Sequence, residues 1–463
     1  MTAPALELAD IFRIHGPAYL DTYGASLSAA QKKALRDIAV CRTAALGGHV
    51  EQCDRCGHRT IAYCSCRNRH CPKCQSAARA AWLEQRAGEL LPVEYFHVVF
   101  TLPQMVAPVA LQNQRIVYGI LFRAAAETLL QIAADPKHLG ARIGFVAVLH
   151  TWGQNLHHHP HLHCVVPGGG IALDRSRWIA CRRQFLLPVK VLSRLFRAKF
   201  ADYLRRAFHH GELSFHGQLQ PLAQKHNFIA WLNRIARSEW VVYAKPPFGG
   251  PQQVLKYLAR YTHRVAIANQ RLVALQDGHV SFRWKDYKQA GEPAIMTLQA
   301  TEFIRRFLLH VLPRGFVKIR HFGFLANRGR EDNFRLCRSL LDAQSPNVRD
   351  ATVTRQEQPN PPDRCPLCNQ GRMRPVEILL PQASVLPRAP IPALFDATLH
   401  ETARATTFPR GCLSDSRSCM GTFAPERQIG HQTHLRCSRA NAPGSTRTRR
   451  WPSDQQSIAI QIP

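Results

Sequence analysis

The sequence contains no uninterrupted run of 18 or more apolar residues, which disfavours a membrane-spanning segment. Its opening residues, MTAPALELADIFRIHG, lack the basic start and apolar stretch of a secretory signal, which sets the expectation of a cytoplasmic protein. Acidic residues are scarce: 31 Asp and Glu stand against 61 Lys and Arg, a formal charge of +30. Such an excess favours a polyanionic partner, without choosing by itself among DNA, RNA and an anionic surface. No Glu or Asp occurs between Ile143 and Leu173, which disfavours a zinc hydrolase of the His-Glu-x-x-His type in the histidine-rich stretch there. Lysine is missing after Lys318, and no internal repeat is found.

With 463 residues the chain exceeds one comfortable core, so two or three domains plus some unstructured chain are expected. Residues 5 to 48 read as helical, with Leu27, Leu35, Ile38 and Val40 near helical spacing and Gly47-Gly48 as a stop. A second helix is predicted from Ala77 to Leu91, then a strand-like run from Glu94 to Leu102 and helix over 107 to 134. Ile143 to Trp152 and His161 to Pro167 read as an antiparallel pair of buried strands. Helices are placed near 190 to 208 and 226 to 237, and over Gln252 to Ala268. A hairpin follows, Arg271 to Leu275 and His279 to Trp284, turning at Asp277-Gly278, with further helices at 299 to 311 and 333 to 343. Beyond about residue 346, Pro, Arg, Ser and Thr dominate, and disorder is expected over most of 375 to 463 because little apolar surface is available to offset ordering entropy.

Fifteen cysteines in a cytoplasmic chain point to metal ligands or buried thiols and not to a disulfide framework. Cys53-x-x-Cys56 and Cys71-x-x-Cys74 are separated by 14 residues, a spacing at which two knuckles close one tetrahedral zinc site. Four thiolates leave no open position, so such a zinc is structural. Cys64, Cys66 and His70, with His49 and His58 nearby, are enough for a second zinc. The loop Arg67-Asn68-Arg69-His70 is basic and suited either to phosphates or to solvent. Cys365-Pro366-Leu367-Cys368 looks like half of another knuckle, whose nearest later cysteines, Cys412 and Cys419, are distant and poorly spaced.

In His157-His158-His159-Pro160-His161-Leu162-His163, strand alternation puts His161 and His163 on one face and Leu162 on the other. Two imidazoles so placed can hold one divalent ion. His150 on the neighbouring strand is a third ligand if the register brings it alongside, and Gln154 is the fallback. Tyr257 and Tyr261 lie four residues apart, hence on one helical face, with Lys256, Arg260 and Arg264 supplying adjacent positive charge. A phenol is a weak nucleophile near pH 7 unless nearby cations or a metal-linked base favour the phenolate. Aromatics at this spacing also serve as ordinary packing.

Taken in order, Cys66-Arg67-Asn68-Arg69-His70-Cys71-Pro72-Lys73-Cys74, His161-Leu162-His163, Tyr257 with Tyr261, and Arg320-His321-Phe322-Gly323-Phe324-Leu325-Ala326-Asn327-Arg328 resemble the two-tyrosine transposases of IS91-like insertion sequences, over residues 40 to 345. The resemblance implies an α+β fold: a His-hydrophobe-His (HUH) endonuclease domain with a central antiparallel sheet flanked by helices, preceded by a small zinc-binding domain. The implied division is 1–91 for the helical and zinc-binding DNA-recognition part, 92–345 for the nuclease, and 346–463 for the tail. Carried over by position, His161 and His163 are ligands of Mg²⁺ or Mn²⁺, and Tyr257 and Tyr261 are the nucleophiles. His150 is assigned as third ligand from strand geometry. The zinc set is Cys53, Cys56, Cys71 and Cys74, with Cys66 and His70; Cys64 stands where the family commonly has Asn and is left out. Arg67, Arg69, Lys256, Arg260 and Arg264 are assigned to DNA, and Trp231, Trp240 and Phe248 are candidates for stacking on bases. The implied partner is single-stranded DNA at transposon ends together with target DNA. A replication initiator or relaxase with the same chemistry, or a non-enzymatic zinc-containing DNA-binding regulator, are the competing readings.

Overall fold

The computed structural model describes residues 6–76, 90–245, 266–286, 292–344 and 364–382. The chain begins with α1 (Leu8–Tyr23) and α2 (Ala29–Ala39), each opened by a capping box, Glu7 with Asp10 and Ser28 with Gln31. The stretch read as helical over 5 to 48 thus holds these two helices, and the chain then enters β1 (Gly48–Cys53) and β2 (Arg59–Tyr63). The predicted Ala77 to Leu91 helix lies mostly outside the described residues.

Next come β3 (Tyr95–Thr101), α3 (Ala107–Gln112), α4 (Gln114–Ala134), β4 (Ala141–Arg142), β5 (Gly144–Trp152) and β6 (His158–Pro167). They are followed by β7 (Gly169–Ala172), β8 (Trp178–Ala180), α5 (Val189–His209), α6 (Lys225–Arg237) and β9 (Val242–Lys245). After the undescribed stretch come β10 (Leu272–Gln276), β11 (His279–Asp286), β12 (Glu292–Gln299), α7 (Ala300–Leu308), β13 (Ile319–Gly323), α8 (Arg330–Gln344) and β14 (Met373–Leu379).

The centre is a five-stranded antiparallel sheet in the order β13-β5-β6-β3-β9. Alternation along its strands gives two unlike faces. Phe96, Val98 and Phe100 of β3, Phe145, Ala147 and Leu149 of β5, and Leu162, Cys164 and Val166 of β6 all join one core with α4, α5 and α6. In α5 the buried residues Leu192, Phe196, Phe200 and Leu204 recur every four positions, the stripe by which an amphipathic helix covers a sheet. Trp231 and Trp240 belong to this core, with the Trp240 indole donating to the Ile235 carbonyl, so neither is available to stack on a base. Helix α4 has the length and apolarity needed to cross a membrane, but two-thirds of its most apolar window (67%) is buried within the protein, as befits a core helix.

The opposite face presents His97, Val99 and Thr101 of β3, Val148 and His150 of β5, and His161 and His163 of β6. Strand β13, from the Arg320 to Arg328 motif, closes the edge beside β5. Gly323 ends it at φ +62°, where an added Cβ would lie 1.8 Å from the Ile143 carbonyl oxygen, so this motif glycine is fixed by backbone approach.

A second core joins α1 and α2 to α7 and the β10-β11-β12 sheet, with Phe12 edge-on to Phe307 at 5.2 Å between ring centroids. The amino-terminal helices therefore share a core with residues 266–311. The hairpin turns at Asp277-Gly278 as its dipeptide predicts, both residues at positive φ. Within the tail, residues 364–382 hold an ordered turn and β14, which pairs with β1 to give a sheet in the order β14-β1-β2; residues 383–463, the greater part of the stretch expected to be disordered, lie outside the described residues.

Candidate functional site

The register of β5 against β6 sets His150 directly opposite His161, and His163 follows two residues on, on the same face. The three side chains offer ligand nitrogens that all lie within 4.8 Å of one another. They are 2%, 5% and 1% exposed, so a cation held there is shielded from bulk water on the protein side. The His161 Nδ1–H donates to the His159 carbonyl oxygen at 2.7 Å, which leaves Nε2 as the lone-pair nitrogen. His163 Nδ1 lies 2.7 Å from His97 Nε2 of β3, a contact that turns Nε2 of His163 toward the cluster.

The rest of the histidine run is put to other uses. His158 Nε2 meets the buried Tyr118 hydroxyl at 2.7 Å, and burial pushes the His158 pKa down to about 4. His157 is anchored by Asn155, whose side-chain oxygen accepts from the His157 backbone N–H. Gln154, the fallback ligand, sits in the strand connection, where its carbonyl accepts from Arg271. His97 is a site residue that the sequence reading misses, because it lies inside the apolar run of β3 with no flanking polar pattern.

Tyr257, Tyr261, Lys256, Arg260 and Arg264 lie outside the described residues, as does Phe248.

Eight of the twelve described cysteines gather in two quartets. Cys41, Cys66, Cys71 and Cys74 form one, with Sγ separations of 3.7 Å for Cys41–Cys74, 3.6 Å for Cys66–Cys74 and 3.6 Å for Cys71–Cys41. Cys53, Cys56, Cys365 and Cys368 form the other. This corrects the sequence reading, which joins Cys53 and Cys56 to Cys71 and Cys74: strand β2 runs between the two knuckles and carries about 16 Å of extended chain. Cys41, at the end of α2, is a ligand candidate the sequence reading misses, since it stands outside any Cys-x-x-Cys pair. The Cys66 and Cys71 thiols beside it hold Cys41 well below the usual thiol range, while their contact with Cys41 pushes Cys66 and Cys71 up in turn.

His70 belongs to neither quartet. Its Nε2 accepts from the Leu312 backbone N–H at 3.2 Å and its Nδ1–H donates to Asn68 Oδ1 at 3.1 Å, so both ring nitrogens are engaged. Burial, with Arg69 and Lys318 nearby, pushes its pKa down to about 3. Cys64 is exposed and lies in neither quartet. Arg67 is exposed at positive φ, whereas Arg69 is half-buried and donates to the Phe316 carbonyl at 2.7 Å, tying the loop to the segment between α7 and β13.

Two family models match this sequence: one described as "Transposase zinc-binding domain" over residues 11–102, and one described as "Putative transposase" over residues 144–332. A protein of Sinorhizobium fredii described as "Putative transposase y4qJ" is 56% identical over 379 residues, covering 80% of this chain and 95% of its own. The "Transposase for insertion sequence element IS801" of Pseudomonas savastanoi pv. phaseolicola is 30% identical over 309 residues, covering 64% of this chain and 72% of its own. No solved structure matches.

Proposed function

Because the chain belongs to the IS91-like insertion-sequence transposases, we propose that it nicks and transfers single-stranded DNA through 5′-phosphotyrosine links, in rolling-circle transposition. The observation that carries this reading is the register that brings His150 alongside His161 and His163. Three imidazoles, with no carboxylate among the described residues of the cluster, would suit one divalent cation. This donor set suits Mn²⁺ better than Mg²⁺, which favours oxygen ligands. When bound, the cation neutralises charge at the scissile phosphate and polarises phosphorus.

The protein's own groups supply the rest. Tyr257 or Tyr261 attacks in line: the phenolate oxygen forms a bond to phosphorus, and the P–O3′ bond breaks. The electron pair leaves on the 3′ oxygen, which takes up a proton. The phosphodiester energy is kept in the tyrosyl link, and the second tyrosine permits a second cleavage before the first end is released. Lys256, Arg260 and Arg264 lie within four residues of a tyrosine and lower the cost of the phenolate. Arg67, exposed beside the first cysteine quartet, meets a phosphate, and that quartet holds a structural zinc. The site of action is the cytoplasm, on nucleoid DNA.

The test is incubation with labelled single-stranded DNA carrying candidate element ends, in Mn²⁺ or EDTA, followed by denaturing electrophoresis and peptide mapping. A Mn²⁺-dependent adduct at Tyr257 or Tyr261 is expected. Salt-sensitive binding without any cleavage would instead identify a DNA-binding regulator.

A further inference from the structure

Both family models end before residue 333, yet an ordered segment at 364–382 returns to the amino-terminal part of the chain. Strand β14 pairs with β1 over six residue pairs, from Gly48 opposite Leu379 to Cys53 opposite Met373. Little apolar burial supports this attachment. The cluster there contains only Cys53, Cys365 and Met373 as buried members, with Cys368 against them, while Ile378 is 82% exposed and Leu380 78%. A three-stranded sheet with so small a core needs a further source of stability, of the kind small domains draw from a disulfide or a metal.

The thiols at its end have the geometry of a metal site. Cys53 Sγ lies 3.7 Å from Cys368 Sγ, and Cys56 Sγ 3.7 Å from Cys365 Sγ. No disulfide joins these sulfurs, which would then be about 2.05 Å apart. A tetrahedron of thiolates at a Zn–S distance of about 2.3 Å has edges of about 3.8 Å. Backbone N–H groups already turn toward the sulfurs: those of Arg55 and Cys56 toward Cys53 Sγ, at 3.4 and 3.5 Å, and that of Gly371 toward Cys368 Sγ, at 3.3 Å. Such contacts stabilise negative charge on sulfur.

The two turns are also fitted to one another. Asp54 Oδ1 accepts from the Arg372 backbone N–H at 2.8 Å, the Asp54 N–H donates to the Arg372 carbonyl at 3.0 Å, and Arg55 hydrogen-bonds Gln370. At Gly371 an added Cβ would lie 2.3 Å from Cys53 Sγ and 2.8 Å from Asp54 Oδ1, so only glycine lets the turns close.

We propose that Cys53, Cys56, Cys365 and Cys368 hold a second structural zinc ion, which clamps residues 364–382 onto the amino-terminal zinc-binding part. The recognition module is then built from both ends of the described chain. Four sulfur ligands leave no position for water or substrate, so this ion takes no part in strand cleavage, and the inference stands independently of the tyrosine chemistry.

Cobalt(II) substitution of the full-length protein tests this, because thiolate-to-cobalt charge transfer in the near ultraviolet reports sulfur sites and is blind to the histidine cluster. Two equivalents are expected for the wild-type protein, and one for the double variant Cys365→Ser/Cys368→Ser. One equivalent in the wild type, or two retained in that variant, overturns the proposal. A second measurement needs no variant: in zinc-loaded wild-type protein, Cys53, Cys56, Cys365 and Cys368 should resist alkylation, and all four should become reactive together when the metal is chelated. Equal labelling of Cys365 and Cys368 with and without zinc also overturns it. Metal analysis of the purified protein should find zinc and no iron; iron in this quartet refutes the zinc assignment.

Discussion

His97 and His163 stand with their rings 6° from parallel, joined by a 2.7 Å contact between Nε2 of the first and Nδ1 of the second. For His163 to present a lone pair at Nε2, its Nδ1 must carry the proton and donate to His97, which makes His97 a positioning residue for the metal-facing ring. Replacing His97 with Ala should weaken Mn²⁺ binding by about 10–100-fold, the usual effect of removing such a partner. Glutamine, which retains an acceptor, should recover part of the loss. Titration by electron paramagnetic resonance measures this directly, and an unchanged affinity in His97→Ala would remove the role.

Tyrosine chemistry separates binding from cleavage. On the proposed mechanism, Tyr257→Phe/Tyr261→Phe should bind single-stranded DNA with nearly the wild-type salt dependence and form no covalent adduct, because phosphate contacts set the salt slope whereas a phenol oxygen would be the nucleophile. Each single Phe variant should lose the adduct at its own position only. A tyrosyl link in the double variant would refute the assignment.

Acid should destabilise the protein through buried histidines. His310 is fully buried, its Nε2–H donates to the Leu156 carbonyl at 3.0 Å, and burial pushes its pKa down to about 3; His70 is likewise lowered to about 3. Both pKa values are depressed on folding, so the unfolded chain binds more protons between about pH 6.5 and 3. The stability these groups confer is complete above about pH 6.5 and is lost as the pH falls toward 3, by about 1.4 kcal/mol per pH unit for each. Urea midpoints at pH 7.5, 6 and 5 should fall in that order, and a flat profile would contradict the burial argument.

The first cysteine quartet gives a contrast within one short segment. Cys41→Ser removes a ligand buried at the end of α2 and should cost zinc together with much of the packing of α1 and α2, since metal binding in small zinc modules is worth on the order of 10 kcal/mol. Cys64→Ser, at an exposed cysteine outside both quartets, should leave zinc content and melting temperature nearly unchanged. Equal losses in both variants would show that the ligand set is drawn wrongly.

Local periodicity made much of this molecule legible. Alternation in β6 separates Leu162, fully buried in the helix-covered core, from His161 and His163 on the other face, and the Asp277-Gly278 turn announces its hairpin. Long-range pairings were not legible. His97 hides in an apolar strand, Cys41 lacks a neighbouring cysteine, and Cys365 meets Cys56 across 309 residues. The 14-residue spacing of the first two knuckles misled because it is compatible with one shared site, whereas an intervening strand carries each knuckle to a different partner. His70 was drawn toward the zinc by its neighbours in sequence, but its ring nitrogens are held by Asn68 and Leu312.

The wide separation of Cys56 and Cys365 also bears on the order of events during synthesis. The β5–β6 hairpin that brings the three imidazoles together draws on residues 144–167, so it can pair soon after it leaves the ribosome. The knuckle at Cys53 and Cys56 must wait for 309 further residues, roughly 15–60 s at about 5–20 residues per second. A nascent chain thus carries its three-histidine hairpin before β1 can pair with β14, and a product cut short ahead of Cys365 never acquires that pairing at all.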